Sequence, residues 1–163
     1  MKHDFIIGID PDIEKSGVSF LEVKTRKLEV SSLTFPKLLD YLKFIREKHS
    51  QADEKLIVVV EAGWLVQKSN YHGHTGARAE KIAKNVGANH ETGKKIVEMC
   101  KHYGLEVQEI RPLKKMWKGK DGKITHEELA SFTGITGKTN QDMRDSVLIS
   151  WCFAELPIKI TSQ

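Results

Sequence analysis

Four acidic residues of this chain fall where carboxylates can act as a group. Asp10 closes the apolar run Phe5-Ile6-Ile7-Gly8-Ile9, and Glu61 closes a second, Leu56-Ile57-Val58-Val59-Val60. Asp142 and Asp145 stand three residues apart in a helical pattern, so both face the same side of that helix. Each has a plainer explanation when taken alone. An Asp before Pro bends the chain, a strand-terminal Glu is simply solvated, and acids in a first helical turn complement the helix dipole. Brought together they repel one another unless a cation lies between them. Hard oxygen donors of this kind, with no basic partner expected among them, suit divalent cations. Two such ions roughly 4 Å apart activate a water and stabilise the leaving oxygen in phosphodiester hydrolysis.

A second cluster has the opposite charge. Arg111, Lys114, Lys115, Lys118, Lys120 and Lys123 crowd into thirteen positions, against a single acid, Asp121. The stretch reads either as a solvated basic loop or as a stripe that neutralises several phosphates. The net charge of +4 fits a polyanionic partner without requiring one. An apolar fraction of 39% with 29% charged residues describes a soluble globular chain. No apolar run approaches the ~20 residues of a membrane span, and the start, Met1-Lys2-His3-Asp4, does not read as a signal peptide. Cys100 and Cys152 sit among apolar neighbours and read as buried thiols, which implies a reducing, cytoplasmic compartment. The length of 163 residues is expected to form one domain over 1–163.

The elements that must position these residues follow from periodicity. Strands are expected at 5–10, 17–23, 27–35, 55–61 and 105–110, with a tight hairpin at Lys24-Thr25-Arg26. Pro36 opens a helix to Lys48 carrying Leu38, Leu39, Leu42 and Ile45 at helical spacing. Residues 64–76 read as a loop. A helical stripe runs from Ala77 to Tyr103; Gly87 and Gly93 interrupt it and imply close packing or a break near Asn89. A capping box, Thr125-His126-Glu127-Glu128, starts a short helix to Phe132, and a last helix runs from Gln141 to Glu155. The order βββαβαβα predicts an α/β fold with a five-stranded mixed sheet flanked by helices. The first and fourth strands are the most apolar and are expected as parallel central neighbours. Asp10 and Glu61 would then meet at the sheet edge where open α/β sheets bind ligands.

These residues resemble RuvC-type Holliday junction resolvases of the RNase H-like class. Ile7-Gly8-Ile9-Asp10-Pro11 with Gly17 is similar to the opening strand of that family. Val59-Val60-Glu61 resembles its second acidic position, and Asp142-Met143-Arg144-Asp145-Ser146-Val147-Leu148 its closing helix. Lys68-Ser69-Asn70-Tyr71, Gly76-Ala77-Arg78 and Arg111-Pro112-Leu113-Lys114-Lys115 fall in matching order, so the resemblance spans nearly the whole chain. It implies an RNase H-like fold and a Mg²⁺-dependent endonuclease (Mn²⁺ substituting) that cuts branched DNA, usually as a homodimer. It implies Asp10, Glu61, Asp142 and Asp145 as catalytic metal ligands. DNA contacts are expected from Tyr71, Arg78, Lys114, Lys115, Lys118, Lys120 and Lys123, with Lys115 and Lys123 the best matches to family lysines. Two departures stand out. Asp12 takes a position where the family often has glycine, adding a fifth acid, and Met143-Arg144 replaces the usual small pair between the aspartates.

Other signals carry less. Gly134 to Thr139 imitates a phosphate-binding loop, but Phe132 occupies the place of its first glycine. His72 and His74 lack further zinc ligands at useful spacing. Trp64 and Tyr71 could stack on unpaired bases, though ordinary packing serves Trp64 equally well. An RNase H-like module that binds branched DNA without cutting it has no use for four converging acids. A phosphotransferase of the actin type needs two such domains around a cleft. A nuclease for RNA–DNA hybrids is the nearest enzymatic rival. For a dimer, the helix from Ala77 to Tyr103 is the natural interface, with Ala83, Gly87 and Ala88 permitting close approach.

Overall fold

A computed structural model describes residues 2–51, 53–66 and 76–159. Five strands, β1 (Phe5–Asp10), β2 (Ser16–Glu22), β3 (Lys27–Leu33), β4 (Leu56–Glu61) and β5 (Glu106–Ile110), form one sheet in the order β3-β2-β1-β4-β5. The helices are α1 (Phe35–Lys48), α2 (Ala77–His102), α3 (His126–Thr133) and α4 (Gln141–Phe153). β1 pairs antiparallel with β2, and β2 with β3. β1 pairs parallel with β4, and β4 with β5. The mixed sheet and its central parallel pair are therefore as expected.

Alternation along the strands decides which side chains meet which helices. Ile7 and Ile9 of β1, with Val58 and Val60 of β4, join Leu38, Leu42 and Ile45 of α1 and Ile96, Val97 and Cys100 of α2 in one core. Ile6, Ile57 and Val59 point the other way, into a cluster with Ile149 and Trp151 of α4. By the same parity Gly8 and Asp10 of β1, and Glu61 of β4, lie on the face that α4 covers. A third cluster, Ile124, Leu129, Val147 and Leu148, joins α3 and α4.

Several boundaries differ from the sequence reading. β2 is offset by one residue, starting at Ser16 and ending at Glu22. β3 stops at Leu33 because extended Thr34 already precedes the first turn of α1, where Phe35-Pro36 stand. β5 begins at Glu106, after Gly104 turns the chain at φ 75°. The turn before β3 is closed by Arg26 at φ 60°. α3 is capped by Thr125 with the full capping box and ends at Gly134 in the left-handed region. α4 ends at Phe153, and Glu155 adopts φ 56°. No break occurs near Asn89. α2 is continuous, and of the two expectations for Gly93 close packing holds: a Cβ there would collide with the ring of Trp64. The looplike 64–76 begins with a 3₁₀ turn, Gly63–Leu65, and residues 67–75 lie outside the described set. Cys100 is buried, Cys152 is partly buried, and both are free thiols whose pKa burial raises, that of Cys100 to about 12. No described helix is long and apolar enough to cross a membrane.

Candidate active site

The acids come from three elements. The last aligned pair of the parallel couple is Ile9 with Val60. Asp10 and Glu61 therefore leave the sheet together, at the same edge and on the same face. Across the other side of β1, Asp10 is paired with Gly17. Gly17 has no side chain to keep α4 away, and a Cβ there would overlap the backbone carbonyl of Asp142. One turn further along, a Cβ at Gly8 would overlap the carbonyl of Ser146. Ser19 Oγ donates to that same Ser146 carbonyl at 2.6 Å and lies 2.9 Å from Ser150 Oγ. Asp142, Ser146 and Ser150 follow one another at i, i+4 spacing, so one line of α4 rests directly on a trough of Gly17, Gly8 and Ser19. This close seat brings the first turn of α4 to the ends of β1 and β4. Asn140 caps that turn, its Oδ1 accepting from Met143 N at 2.9 Å.

The other three acids all act on Asp10 electrostatically. Burial raises the pKa of Asp10 well above the usual carboxylate value. The charges of Glu61, Asp145 and Asp142 add to the rise, and Lys123 opposes it. Asp142 is raised as well, by burial and then by the charge of Asp12. A hydrogen bond with Asp10 and the charge of Lys123 pull it back. Asp142 thus interacts with both Asp10 and Asp12. Asp12 also has a local duty, since its Oδ2 accepts from Glu14 N at 3.0 Å and Lys15 N at 3.4 Å in the β1–β2 turn.

A pocket of about 170 Å³ opens beside these acids. Asp10, Glu61 and Asp145 line it, and so do Lys114, Lys115 and Lys123. Leu113, Trp117, Ile124 and Leu148 supply the apolar lining. The expectation of acids without a basic partner is corrected here, because Lys123 Nζ lies 3.8 Å from Asp145 Oδ2. The cause is the path of the basic stretch, which folds back on itself instead of trailing in solvent. Trp117 N donates to Gly122 O and Gly119 N to Lys123 O, each at 2.9 Å, around Asp121 and Gly122 in left-handed conformations. Trp117 stacks on Phe132, which in turn touches Trp151 of α4.

The remaining sequence candidates divide. Lys118 and Lys120 are exposed at the tip of the folded-back stretch and do not line the pocket. Arg78 is exposed in the first turn of α2, also away from the pocket lining. Tyr71, His72 and His74 lie outside the described residues. Trp64 is a packing residue: it rests on Gly93 against the α1–α2 core and meets His90 edge-on at 6.1 Å. Gly134 and Gly137, the glycines of the apparent phosphate loop, merely cap α3 and turn the chain toward α4. Sequence reasoning missed Gln141, whose Nε2 donates to Asp145 Oδ1 at 2.8 Å. The i, i+4 spacing of the pair was the available signal.

The donor set fits a hard divalent cation in chemistry and charge. Among the described residues no three His, Cys, Asp or Glu side chains are gathered closely enough to hold one ion as a group. Magnesium asks for less, since it keeps several waters and takes one or two carboxylates together with substrate phosphate oxygens. The Asp10–Asp142 contact, with Glu61 and Asp145 bearing on Asp10, meets that requirement.

No protein-family model matches the sequence, and no curated protein matches it. Among solved structures the chain is similar to RuvC of T. thermophilus in complex with a Holliday junction substrate. The TM-score is 0.54 and the identity 15%, with 91% of each chain covered. A second structure of Thermus thermophilus RuvC gives a TM-score of 0.48, 15% identity and 90% coverage of each chain. The first likeness shows the fold, which is RNase H-like.

Proposed function

We propose that this chain is a divalent-metal-dependent endonuclease that hydrolyses phosphodiester bonds in branched DNA, resolving four-way junctions as a homodimer. The observation that carries the reading is the shared pocket: carboxylates from β1, β4 and α4 and three lysines line the same small cavity. A phosphodiester needs both. Lysines bind and orient its anionic oxygens, while clustered carboxylates have no reason to approach that anion unless a cation lies between. Mg²⁺ bound there would supply an activated water and charge for the leaving oxygen. Asp10 and Asp142 are the central ligands in this scheme, with Glu61 and Asp145 flanking them. Lys115 and Lys123 hold the scissile phosphate beside these carboxylates, and Lys118 and Lys120, further out, take the phosphates of an adjoining arm. The choice of branched DNA rests on the likeness to a structure bound to a Holliday junction and on the motif order.

The test is cleavage of labelled four-way junction, linear duplex and RNA–DNA hybrid, with Mg²⁺ and with chelator. Paired symmetric nicks in the junction alone support the reading. Cutting confined to the hybrid would place the chain with the hybrid-specific nucleases, and binding without cutting would leave a recognition module.

A further inference from the structure

We propose that Gln141 is a positioning residue for Asp145, holding one carboxylate oxygen so that the other is presented to the pocket. The inference rests on the metal-nuclease reading of the site and concerns a residue pair outside the four acids.

The orientation of the Gln141 amide is fixed by its neighbours. Its Oε1 accepts from Arg144 Nη2 at 2.9 Å, and a guanidinium can only donate. Its Nε2 therefore faces two acceptors, Asp145 Oδ1 at 2.8 Å and the Ile124 carbonyl at 3.2 Å. A flipped amide would set oxygen against oxygen at both and nitrogen against the guanidinium. Arg144 is itself held, by Nε to Ile124 O at 3.1 Å and by Nη1 to Thr139 O at 2.9 Å and Thr139 Oγ1 at 3.2 Å. The amide thus has no free rotation to offer, and Asp145 Oδ1 is tied to the helix. Asp145 Oδ2 is left toward Lys123 at 3.8 Å and the pocket.

The same network joins the basic stretch to α4. Ile124 is buried and directly follows Lys123, and its carbonyl takes donors from both Gln141 and Arg144. The spacing between the last lysine of the basic stretch and the last acid of α4 is consequently set by these two side chains. Partners of metal-ligating carboxylates commonly matter to affinity nearly as much as the ligands.

The experiment is Mn²⁺ binding to the DNA-free protein, read from the electron paramagnetic resonance of free Mn²⁺, for wild type, Gln141→Leu and Arg144→Lys. Gln141→Leu keeps the bulk and removes the donor. Its Mn²⁺ affinity should fall about 10–100-fold. The Mg²⁺ concentration needed for half-maximal junction cleavage should rise in parallel, with the rate at saturating Mg²⁺ and junction binding in chelator within a few-fold of wild type. Arg144→Lys frees the amide oxygen and should move metal affinity in the same direction by less. It carries the test if thermal melting shows Gln141→Leu unfolded. Wild type binding Mn²⁺, with a folded variant binding it within twofold as tightly, overturns the positioning role. Wild type binding no Mn²⁺, and cleaving junction equally in Mg²⁺ and in chelator or in neither, overturns the metal reading and this inference with it.

Discussion

Gly17 of β2 lies flat against the backbone carbonyl of Asp142, leaving no room for even one methyl group between sheet and helix. Because Gly17 is also the cross-strand partner of Asp10, this contact sets how closely two of the acids approach. Gly17→Ala must push the first turn of α4 outward. The expected cost is about 1–3 kcal/mol of stability from overpacking, measured by chemical denaturation. Cleavage should fall further than the stability loss explains, because Asp142 moves away from Asp10. An alanine variant with wild-type stability and cleavage would show that α4 has slack at this point.

The sheet and the acids were legible because both follow from alternation. Strand parity places Gly8, Asp10 and Glu61 on one face, and apolar runs that alternate into two cores mark β1 and β4 as central. What stayed hidden depended on contacts between residues distant in sequence. The basic stretch reads as a loop until Trp117 is seen on Phe132, roughly fifteen residues on, with its turn closed by Gly119 and Gly122. Gly93 signals either a break or a close approach, and only Trp64 lying over it decides between them. Gln141 carries no motif at all; its meaning comes from the Arg144 guanidinium turning its amide.

Asp10→Asn should abolish Mg²⁺-dependent cleavage and, without divalent ions, raise the melting temperature at neutral pH. The sign follows from the raised pKa of Asp10, which burial causes first and the neighbouring acids reinforce. The folded state then binds its proton more tightly than the unfolded chain, whose carboxyl titrates near ~3.9. Below that pH the charge costs nothing. As pH rises through the folded value, the wild type loses the contribution and the Asn variant does not. Its advantage should therefore shrink to nothing as the pH is lowered toward 4, and Mg²⁺ should stabilise wild type more than the variant. Equal melting temperatures at pH 7 in chelator would mean that Asp10 bears no such strain.

The lysines should separate into two kinds. Lys115 and Lys123 line the pocket, so replacing either by Ala should slow cleavage of bound junction as well as weaken binding. Lys118 and Lys120 are exposed away from it, and their alanine variants should weaken binding alone. Each lost phosphate contact should flatten the plot of log affinity against log salt by about 0.9 on duplex arms. A salt slope unchanged in the Lys118, Lys120 double variant would return that tip to the status of a solvated loop.

Dimerisation should use the N-terminal half of α2. Ala79, Ile82, Ala83 and Val86 recur at i, i+3, i+4 and i+7, so they share one face of the helix. Among the described residues they join none of the three core clusters. The next residue, Gly87, is exposed, and a Cβ there would meet nothing within 4 Å. A four-way junction has two-fold symmetry, and an isologous pair of chains would offer one acidic pocket to each of two opposed strands. Replacing Ile82 and Val86, both half-buried, by Glu places charges on that face outside the three core clusters, and thermal melting checks that the monomer stays folded. Sedimentation at micromolar concentration should give a dimer for wild type and a monomer for the double variant. Junction cleavage by the variant should give single, unpaired nicks. Wild type sedimenting as a monomer both with and without junction DNA would sink the resolvase reading and leave a nuclease that nicks one strand at a time.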